Sequence, residues 1–351
     1  MLAGGSGTRL WPFSTDDLPK QLVPLFGGRS LLDIALQRAA SVVDANCVWL
    51  GAGRKLADAL GGVDHIRANR IILEPSGRDT LPAVILGMAT IAAHDPDAVV
   101  AVLTADHLIE PLSSFVASLE AGFSLAEACE DALVTFGVVP NHPSTGFGYL
   151  ELGDAIDVDR PGAVGPARVV STFVEKPNLA RAEQLVTAGA LWNSGMFVWR
   201  AATLLRAAHA FAPRAAAGVA AAMSGDVTAW DGLAKQSVDY GIMEPASTSA
   251  TFIVAALPLA AAWLDVGSWP AYGDALGRDL AGNATAGRVM LHESSGCTVA
   301  SSDPDHLVAV VGCEGIVVVH TPSATLVVPA ADAQRVKALQ ALVAASSPDL
   351  A

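Results

Sequence analysis

The sequence predicts an α/β protein: a mixed, mainly parallel sheet with helices on both faces, followed by a small β-rich domain that closes with a helix. Three observations carry this. Apolar runs of strand length alternate with longer amphipathic segments through about the first 140 residues. The run Ala98 to Leu103 is almost continuously apolar, as in a strand covered on both faces. Beyond Leu276, short β-branched runs follow one another with turns and no helix between them.

The elements follow in order. Met1-Leu2-Ala3 reads as the tail of a buried strand, shorter than the roughly five residues of a typical one, so a late start or missing upstream residues is expected. Ser30-Leu31-Leu32-Asp33 has the pattern of a capping box, and the helix it opens keeps Leu32, Ala35, Leu36 and Ala39 on one face. Cys47 to Leu50 and Arg70 to Leu73 read as short strands. Thr80 to Ala93 reads as a helix with Pro82 in its first turn, where proline is tolerated. Ala98 to Leu103 is the next strand, Phe115 to Cys129 a helix and Ala132 to Val138 a strand. The pattern then changes. Gly146 to Leu150 and Val169 to Glu175 suggest antiparallel strands or a hairpin, before a helix at Leu179 to Ala188, a strand at Trp192 to Trp199, and helices at Ala201 to Phe211 and Pro213 to Ala222. Arg288 to His292, Cys297 to Ala300, His306 to Val311, Ile316 to His320 and Thr325 to Val328 form the β-rich part, and Ala333 to Ala344 a final amphipathic helix. A boundary near Asn283 divides the chain into 1–282 and 283–351.

Composition narrows the function. With 351 residues, 52% of them hydrophobic, the chain can bury a substantial core. A formal charge of −14 argues against nonspecific nucleic-acid binding, so a phosphate ligand would need the few cations concentrated locally. Four scattered cysteines show no CxxC spacing and read as buried thiols in a reducing compartment. No apolar run reaches the ~20 residues that span a bilayer, and the chain opens on a glycine loop instead of a signal peptide. A cytoplasmic protein with no membrane partner is expected.

That opening loop concentrates the chemistry. Gly4, Gly5 and Gly7 leave few Cβ atoms between an anion and the backbone N–H groups. Arg9 and Lys20 follow, a guanidinium and an ammonium suited to phosphate oxygens. The loop is no Walker A motif, because no Lys-Ser/Thr follows its glycines, and Leu10 stands where a dinucleotide fingerprint has its third glycine. Glycines alone would indicate an ordinary turn. Arg9, Trp11-Pro12 and Pro19-Lys20-Gln21 shift the reading to phosphate binding.

Gly4-Gly5-Ser6-Gly7-Thr8-Arg9-Leu10-Trp11-Pro12 with Pro19-Lys20-Gln21 resembles the signature of sugar-phosphate nucleotidylyltransferases, in particular the mannose-1-phosphate guanylyltransferases. Further segments resemble that family in the same order. They are Glu74-Pro75-Ser76-Gly77-Arg78-Asp79-Thr80, Thr104-Ala105-Asp106-His107, Thr145-Gly146-Phe147-Gly148-Tyr149, Phe173-Val174-Glu175-Lys176-Pro177 and Trp192-Asn193-Ser194-Gly195-Met196-Phe197, then Asp239-Tyr240 with Met243-Glu244, and Asp265-Val266-Gly267-Ser268-Trp269. The match spans about residues 2 to 275. It implies a Rossmann-like fold of the nucleotide-diphospho-sugar transferase type and a β-helix-like C-terminal domain.

The reaction implied is attack by mannose 1-phosphate on the α-phosphorus of GTP, which calls for charge neutralisation and in-line geometry. The resemblance implies Arg9 and Lys20 as catalytic groups on the phosphates. It places the nucleotide against Leu2, Ala3, Gly4, Gly5, Ser6, Gly7 and Thr8, and against Glu74, Pro75, Arg78, Asp79, Thr80 and Ala105. Gly146, Gly148, Glu175, Lys176 and Asn193 are implied at the sugar phosphate. Asp106, at the end of a buried strand, and Asp265 are implied as ligands of Mg²⁺, which prefers oxygen; alone, either would be read as a helix cap or turn residue. His107 is expected to be a local structural partner. Asp79 stands where the family has Asn, which weakens an amide-dependent contact.

Two other readings compete. A non-catalytic sugar-nucleotide-binding relative would not need Arg9, Lys20, Asp106, Asp265 and Lys176 together. A dehydrogenase would place an acidic residue about 20 residues past the glycines, and Lys20 to Phe26 offers none. Within the class, another nucleotide or sugar phosphate is the alternative. Some relatives carry a further isomerase domain; a single activity is expected here. The exposed edges of the β-rich domain suggest a homodimer.

Overall fold

The computed structural model describes residues 1–5, 7–60, 68–156 and 165–350. They form two compact units. One comprises Met1–Gly4, Arg38–Thr104 and Ile109–Trp263; the other comprises Gly5–Gln37, Ala105–Leu108 and Leu264–Ala351.

The first unit is built on strands β1 (Leu50–Gly53), β2 (Ile71–Glu74), β3 (Val99–Val102) and, after the short β4 (His107–Glu110), β5 (Ala132–Val138), β6 (Tyr149–Ile156), β7 (Ala167–Val174), β8 (Leu191–Arg200) and β9 (Ile253–Pro258). The six-stranded sheet runs β3-β8-β5-β9-β7-β6. β5 and β9 are parallel, as are β1 and β2. β8 lies antiparallel between β3 and β5, and β6 pairs antiparallel with β7 as the sequence predicts. Leu2 makes parallel bridges to Gly51 and Thr104, so Met1–Ala3 occupies a strand position. β5 is buried along its whole length. Its side chains alternate between two cores. Leu133 joins the one under the helices Thr80–His94 and Ala201–Phe211; Val134 and Phe136 join the one under Leu112–Ala128. Helices therefore cover both faces, as expected.

In the second unit, the Ser30–Asp33 capping box forms: the Asp33 carboxylate accepts from Ser30 N at 3.0 Å, and Ser30 Oγ accepts from Asp33 N at 3.1 Å. β10 (Ala262–Asp265) pairs with β4. β11 (Ala284–Ala286), β13 (Thr298–Ser301) and β15 (Ile316–His320) stack in parallel, as do β12 (Val289–His292) and β14 (Val308–Val311), while β16 (Thr325–Pro329) closes antiparallel on β15. This stacking of parallel rungs is β-helix-like, as the resemblance implies. Its core extends to the N-terminal loop: Leu10, Trp11, Val23 and Leu25 pack with Trp269, Tyr272, Val317 and Val336. The Trp269 indole donates to Trp11 O at 3.0 Å, and the Tyr272 hydroxyl to Leu25 O at 3.1 Å.

The four cysteines are free thiols. Cys297 is buried, but Cys47 is exposed, against the expectation of uniform burial. Among the described residues, no helix is long and apolar enough to cross a membrane.

Candidate active site

In the second unit, the glycine loop and the sequence-distant Asp106 converge on Lys20, with Asp265 beside Asp106. Gly7 takes a left-handed conformation, φ 62°. A Cβ there would lie 2.7 Å from Lys20 Cβ, so only glycine lets the lysine stem pass beneath the loop. Gln21, buried, donates to Gly5 O at 3.4 Å, and the Ser14 hydroxyl donates to Gly7 O at 2.7 Å. The loop is thereby fixed on both sides of Ser6, which lies outside the described residues. Lys20 Nζ lies 2.6 Å from Asp106 Oδ2. His107 Nε2 lies 3.8 Å from the other oxygen, Oδ1.

Val266 N donates to Asp106 O at 3.1 Å, holding the segments of the two acids side by side. Ligand atoms of Asp106, His107 and Asp265 all lie within 4.8 Å of one another. Burial is the strongest single influence and pushes the Asp106 carboxyl up, but the Lys20 ammonium, the His107 ring and the hydrogen bonds from Lys20 and its own backbone together hold it down at about 2. Asp106 is therefore ionised at neutral pH, as a cation ligand must be. Two carboxylates give the hard oxygen donors that Mg²⁺ takes, and an ammonium already resting on one of them shows that this corner accepts positive charge. The donor set fits a divalent cation. Arg9 is exposed and donates to Gln334 at 3.1 Å. Ala105 is buried, and Gly4 and Gly5 are exposed.

The first unit gathers the residues expected at the sugar phosphate. Lys176 (φ 45°) turns the chain after β7, so Glu175 and Lys176 do not point to opposite faces; Lys176 Nζ lies 2.8 Å from Glu175 Oε1. Burial pulls the Lys176 ammonium down, but Glu175, Asp239 and Asp79 together hold it above its ordinary value. Gly148 makes room for this pair, because a Cβ there would stand 2.7 Å from Glu175 Oε2. Asn193 N donates to Gly148 O at 2.8 Å, fastening β8 to the same loop. Gly146 is exposed, its N–H donating to Ser144 Oγ at 3.1 Å.

Residues 1–281 match the nucleotidyl transferase family, and residues 287–340 match the MannoseP isomerase/GMP-like beta-helix domain. The chain belongs to the nucleotidyl transferase family. It is 35% identical to a mannose-1-phosphate guanylyltransferase of Klebsiella pneumoniae over 351 residues, covering 96% of this chain and 72% of the relative. It is 34% identical to the alginate biosynthesis protein AlgA of Pseudomonas aeruginosa, covering 93% and 68%. Among solved structures, a Thermus thermophilus protein described as a mannose-1-phosphate geranyltransferase superposes with TM-score 0.84 at 33% identity, covering 96% of each chain. A Helicobacter pylori protein described as a mannose-6-phosphate isomerase gives TM-score 0.60 at 26% identity, over 75% of this chain and 98% of that one.

The segment expected to meet the nucleotide in this nucleotidyl transferase is strapped to residues 230–238. Arg78 pairs with Asp231 at 3.0 Å, and Ser76 donates to the same oxygen at 2.9 Å. Leu81 N donates to Gln236 O at 3.0 Å, and Val238 N to Thr80 Oγ1 at 2.9 Å. The Arg78 guanidinium is thus engaged by a carboxylate that sequence reasoning did not connect to it. Asp79 (φ 67°) accepts from Thr80 N at 2.8 Å, the backbone contact that remains open to Asp in place of Asn. Burial pushes the Glu74 carboxyl up to about 7. Pro75 is exposed beside it.

Two residues without an assigned role contact Asn193, one of the residues expected at the sugar phosphate. Asp239 opens a π-helical turn, Asp239–Met243, and accepts from Asn193 Nδ2 at 2.7 Å. Thr135, inside the buried strand β5, lies behind Asn193. The signals were a polar residue in an otherwise apolar strand and the Asp239-Tyr240 motif itself. A cavity of about 650 Å³ lined by Trp49, Arg70, His94 and Val99 contains none of the expected site residues.

Proposed function

We propose that the chain transfers GMP from GTP to mannose 1-phosphate, giving GDP-mannose and pyrophosphate. The observation that carries this reading is the convergence of the loop lysine, Lys20, on Asp106 beside Asp265, in a nucleotidyl transferase whose relatives are described as mannose-1-phosphate guanylyltransferases. An oxygen of the sugar phosphate forms a bond to the α-phosphorus while the bond to the α–β bridging oxygen breaks, and pyrophosphate leaves with those electrons. The attacking oxygen is already ionised, so no general base is required. Loop N–H groups and the exposed Arg9 guanidinium hold the triphosphate, and Lys20 stabilises charge at the α-phosphate. Lys176 holds the acceptor phosphate, with Glu175 accepting from sugar hydroxyls. Glu74, with Pro75, Arg78, Asp79 and Thr80, forms the nucleoside side. Asp106 and Asp265 hold Mg²⁺, which supplies further neutralisation of phosphate charge.

The two family segments meet near Asn283, which supports dividing the chain at 282/283. Exposed Met290 and Val311 on the β12–β14 strands support a dimer through the C-terminal domain, and the absence of a long apolar helix among the described residues is consistent with a cytoplasmic enzyme. The deciding experiment measures pyrophosphate release for each NTP paired with mannose, glucose and N-acetylglucosamine 1-phosphates, with and without Mg²⁺. GTP with mannose 1-phosphate is expected to be fastest and Mg²⁺-dependent. Faster turnover of another pair would reassign the substrates, and no turnover of any pair would leave a binding protein.

A further inference from the structure

β8 departs from regular pairing at the expected acceptor residue. In its register with β5, Phe197 opposes Thr135 and Asn193 opposes Gly137, so β8 spends two extra residues around Ser194 to Met196. Gly195 takes φ 70° within that bulge. Bulges of this kind re-aim a side chain. Here the re-aimed residue is Asn193, and both ends of its amide are spoken for. Its Oδ1 accepts from the Thr135 hydroxyl at 2.7 Å and from Gly195 N at 3.3 Å. Gly195 N can only donate, so the oxygen faces inward and the NH₂ outward; the Thr135 hydroxyl, which also lies 3.0 Å from Met196 O, has one proton for the two oxygens. The outward Nδ2 donates to Asp239 Oδ1 at 2.7 Å. Asn193 therefore has no acceptor left for a ligand, and one of its two N–H bonds is already used.

Asp239 is placed differently. An ionised carboxylate offers about four acceptor positions. Among the described residues, Asn193 is the one side chain that donates to Asp239. Burial, and then the charge of Glu175, push its carboxyl up to about 7, while its own backbone N–H, Asn193 and Lys176 pull the other way. Glu244 feels the same Glu175 charge, and Asp79 acts on Lys176. Two carboxylates sharing one ammonium in a partly desolvated corner cost stability in the free protein. Such an arrangement is expected where a ligand completes it. The missing complement is a set of hydroxyl donors attached to an anion for Lys176.

We propose that Asp239 is a specificity-determining residue that reads sugar hydroxyls of the acceptor, and that Thr135, acting through the Asn193 amide, is the positioning residue that aims it. This rests on the guanylyl-transfer reading above for the identity of the acceptor. Thr135 touches no ligand; with Gly195 N it holds the inward end of the amide, leaving the other end to face Asp239. As pH rises through about 7, Asp239 ionises and gains acceptor capacity, so acceptor binding tightens.

The test is calorimetric binding of mannose 1-phosphate, and separately of GTP, to the wild type, Asp239→Asn, Thr135→Val and Thr135→Ser between pH 6 and 8, alongside GMP transfer. Asp239→Asn keeps the shape and is expected to weaken mannose 1-phosphate binding by roughly 10- to 100-fold, the usual range for losing a hydrogen bond to a charged group, with GTP binding changed less than about twofold. The pH dependence contributed by Asp239 should vanish in that variant, while the phosphate's own ionisation is common to both proteins. Thr135→Val should reproduce the selective loss and Thr135→Ser restore binding. Equal mannose 1-phosphate affinity and pH profile in Asp239→Asn would overturn the proposal, as would equal losses for both ligands. If Asp239→Asn does not fold, the Val/Ser pair at Thr135 decides by the same selectivity. A wild type that binds mannose 1-phosphate but transfers no GMP would overturn the guanylyl-transfer reading alone, leaving Asp239 to be judged by binding. A wild type that binds no sugar phosphate would overturn both.

Discussion

Replacing Lys20 with Met tests the site and the fold in one variant. Methionine keeps most of the stem that passes under Gly7 but removes the ammonium that lies 2.6 Å from Asp106 Oδ2. The Asp106 carboxyl is held at about 2 instead of 3.8, against a burial effect that would raise it. At about 1.4 kcal/mol per pKa unit, this corresponds to about 2.5 kcal/mol of stability at neutral pH. A depressed carboxyl stabilises the fold above its unfolded value of 3.8, and the contribution is lost as pH falls from there through about 2. Urea unfolding in EDTA isolates the pair. Lys20→Met is expected to lose at least about 2.5 kcal/mol at pH 7, with the deficit shrinking as the medium becomes acidic and the orphaned carboxyl takes up a proton. Adding Asp106→Asn should recover much of the stability and none of the activity. In Mg²⁺ buffer the single variant should lose roughly 10²-fold or more in rate, as expected for removing an electrostatic donor from a transition state. A wild-type urea midpoint would refute the buried pair, and a rate within about threefold of wild type would refute the role on the α-phosphate.

Three further outcomes are expected. Gly7→Ala forces a Cβ at φ 62° to within 2.7 Å of Lys20 Cβ, so it should cost about 1–3 kcal/mol and at least tenfold in rate, checked by thermal unfolding and steady-state kinetics; a neutral effect would show that the loop yields. Gly148→Ala places a Cβ 2.7 Å from Glu175 Oε2, and should raise KM for the sugar phosphate about tenfold or more with little change in KM for the nucleotide, whereas an equal effect on both would place Glu175 elsewhere in the mechanism. Asp265→Asn should raise the Mg²⁺ concentration for half-maximal rate by roughly 10-fold while stability stays within about 1 kcal/mol of wild type, and an unchanged metal titration would remove Asp265 from the ligand set.

What the sequence made legible follows from how local each cause is. The capping box at Ser30 and Asp33, the apolar strand β5 and the helix Ala201–Phe211 depend on neighbours within a few residues, and they appear where the sequence places them. The glycine loop stands out in the sequence because glycine, arginine and lysine have no apolar reason to cluster in an acidic chain. The position of β8 was not legible, since its pairing with β3 and β5 is set by partners about 100 and 60 residues away. Nor was the company kept by the loop. In the sequence Trp11 is only part of a motif, yet an indole in a loop must be covered, and the cover comes from Trp269 and the C-terminal strands.

Asp239 and Thr135 mark a different limit. A short Asp-Tyr pair carries no period, and a π-helical turn gives no signature that a 3.6-residue or two-residue repeat would reveal. One clue was nevertheless available. β5 reads Ala-Leu-Val-Thr-Phe-Gly-Val, and a hydroxyl in a strand buried on both faces must find a partner or cost about 1–3 kcal/mol. Thr135 shares its cross-sheet face with Leu133, so the partner had to come from the strand laid alongside. Asn193, on the neighbouring strand, is that partner. A buried polar residue thus points from the scaffold to its partner on the neighbouring strand, and from there, through the Asn193 amide, to Asp239.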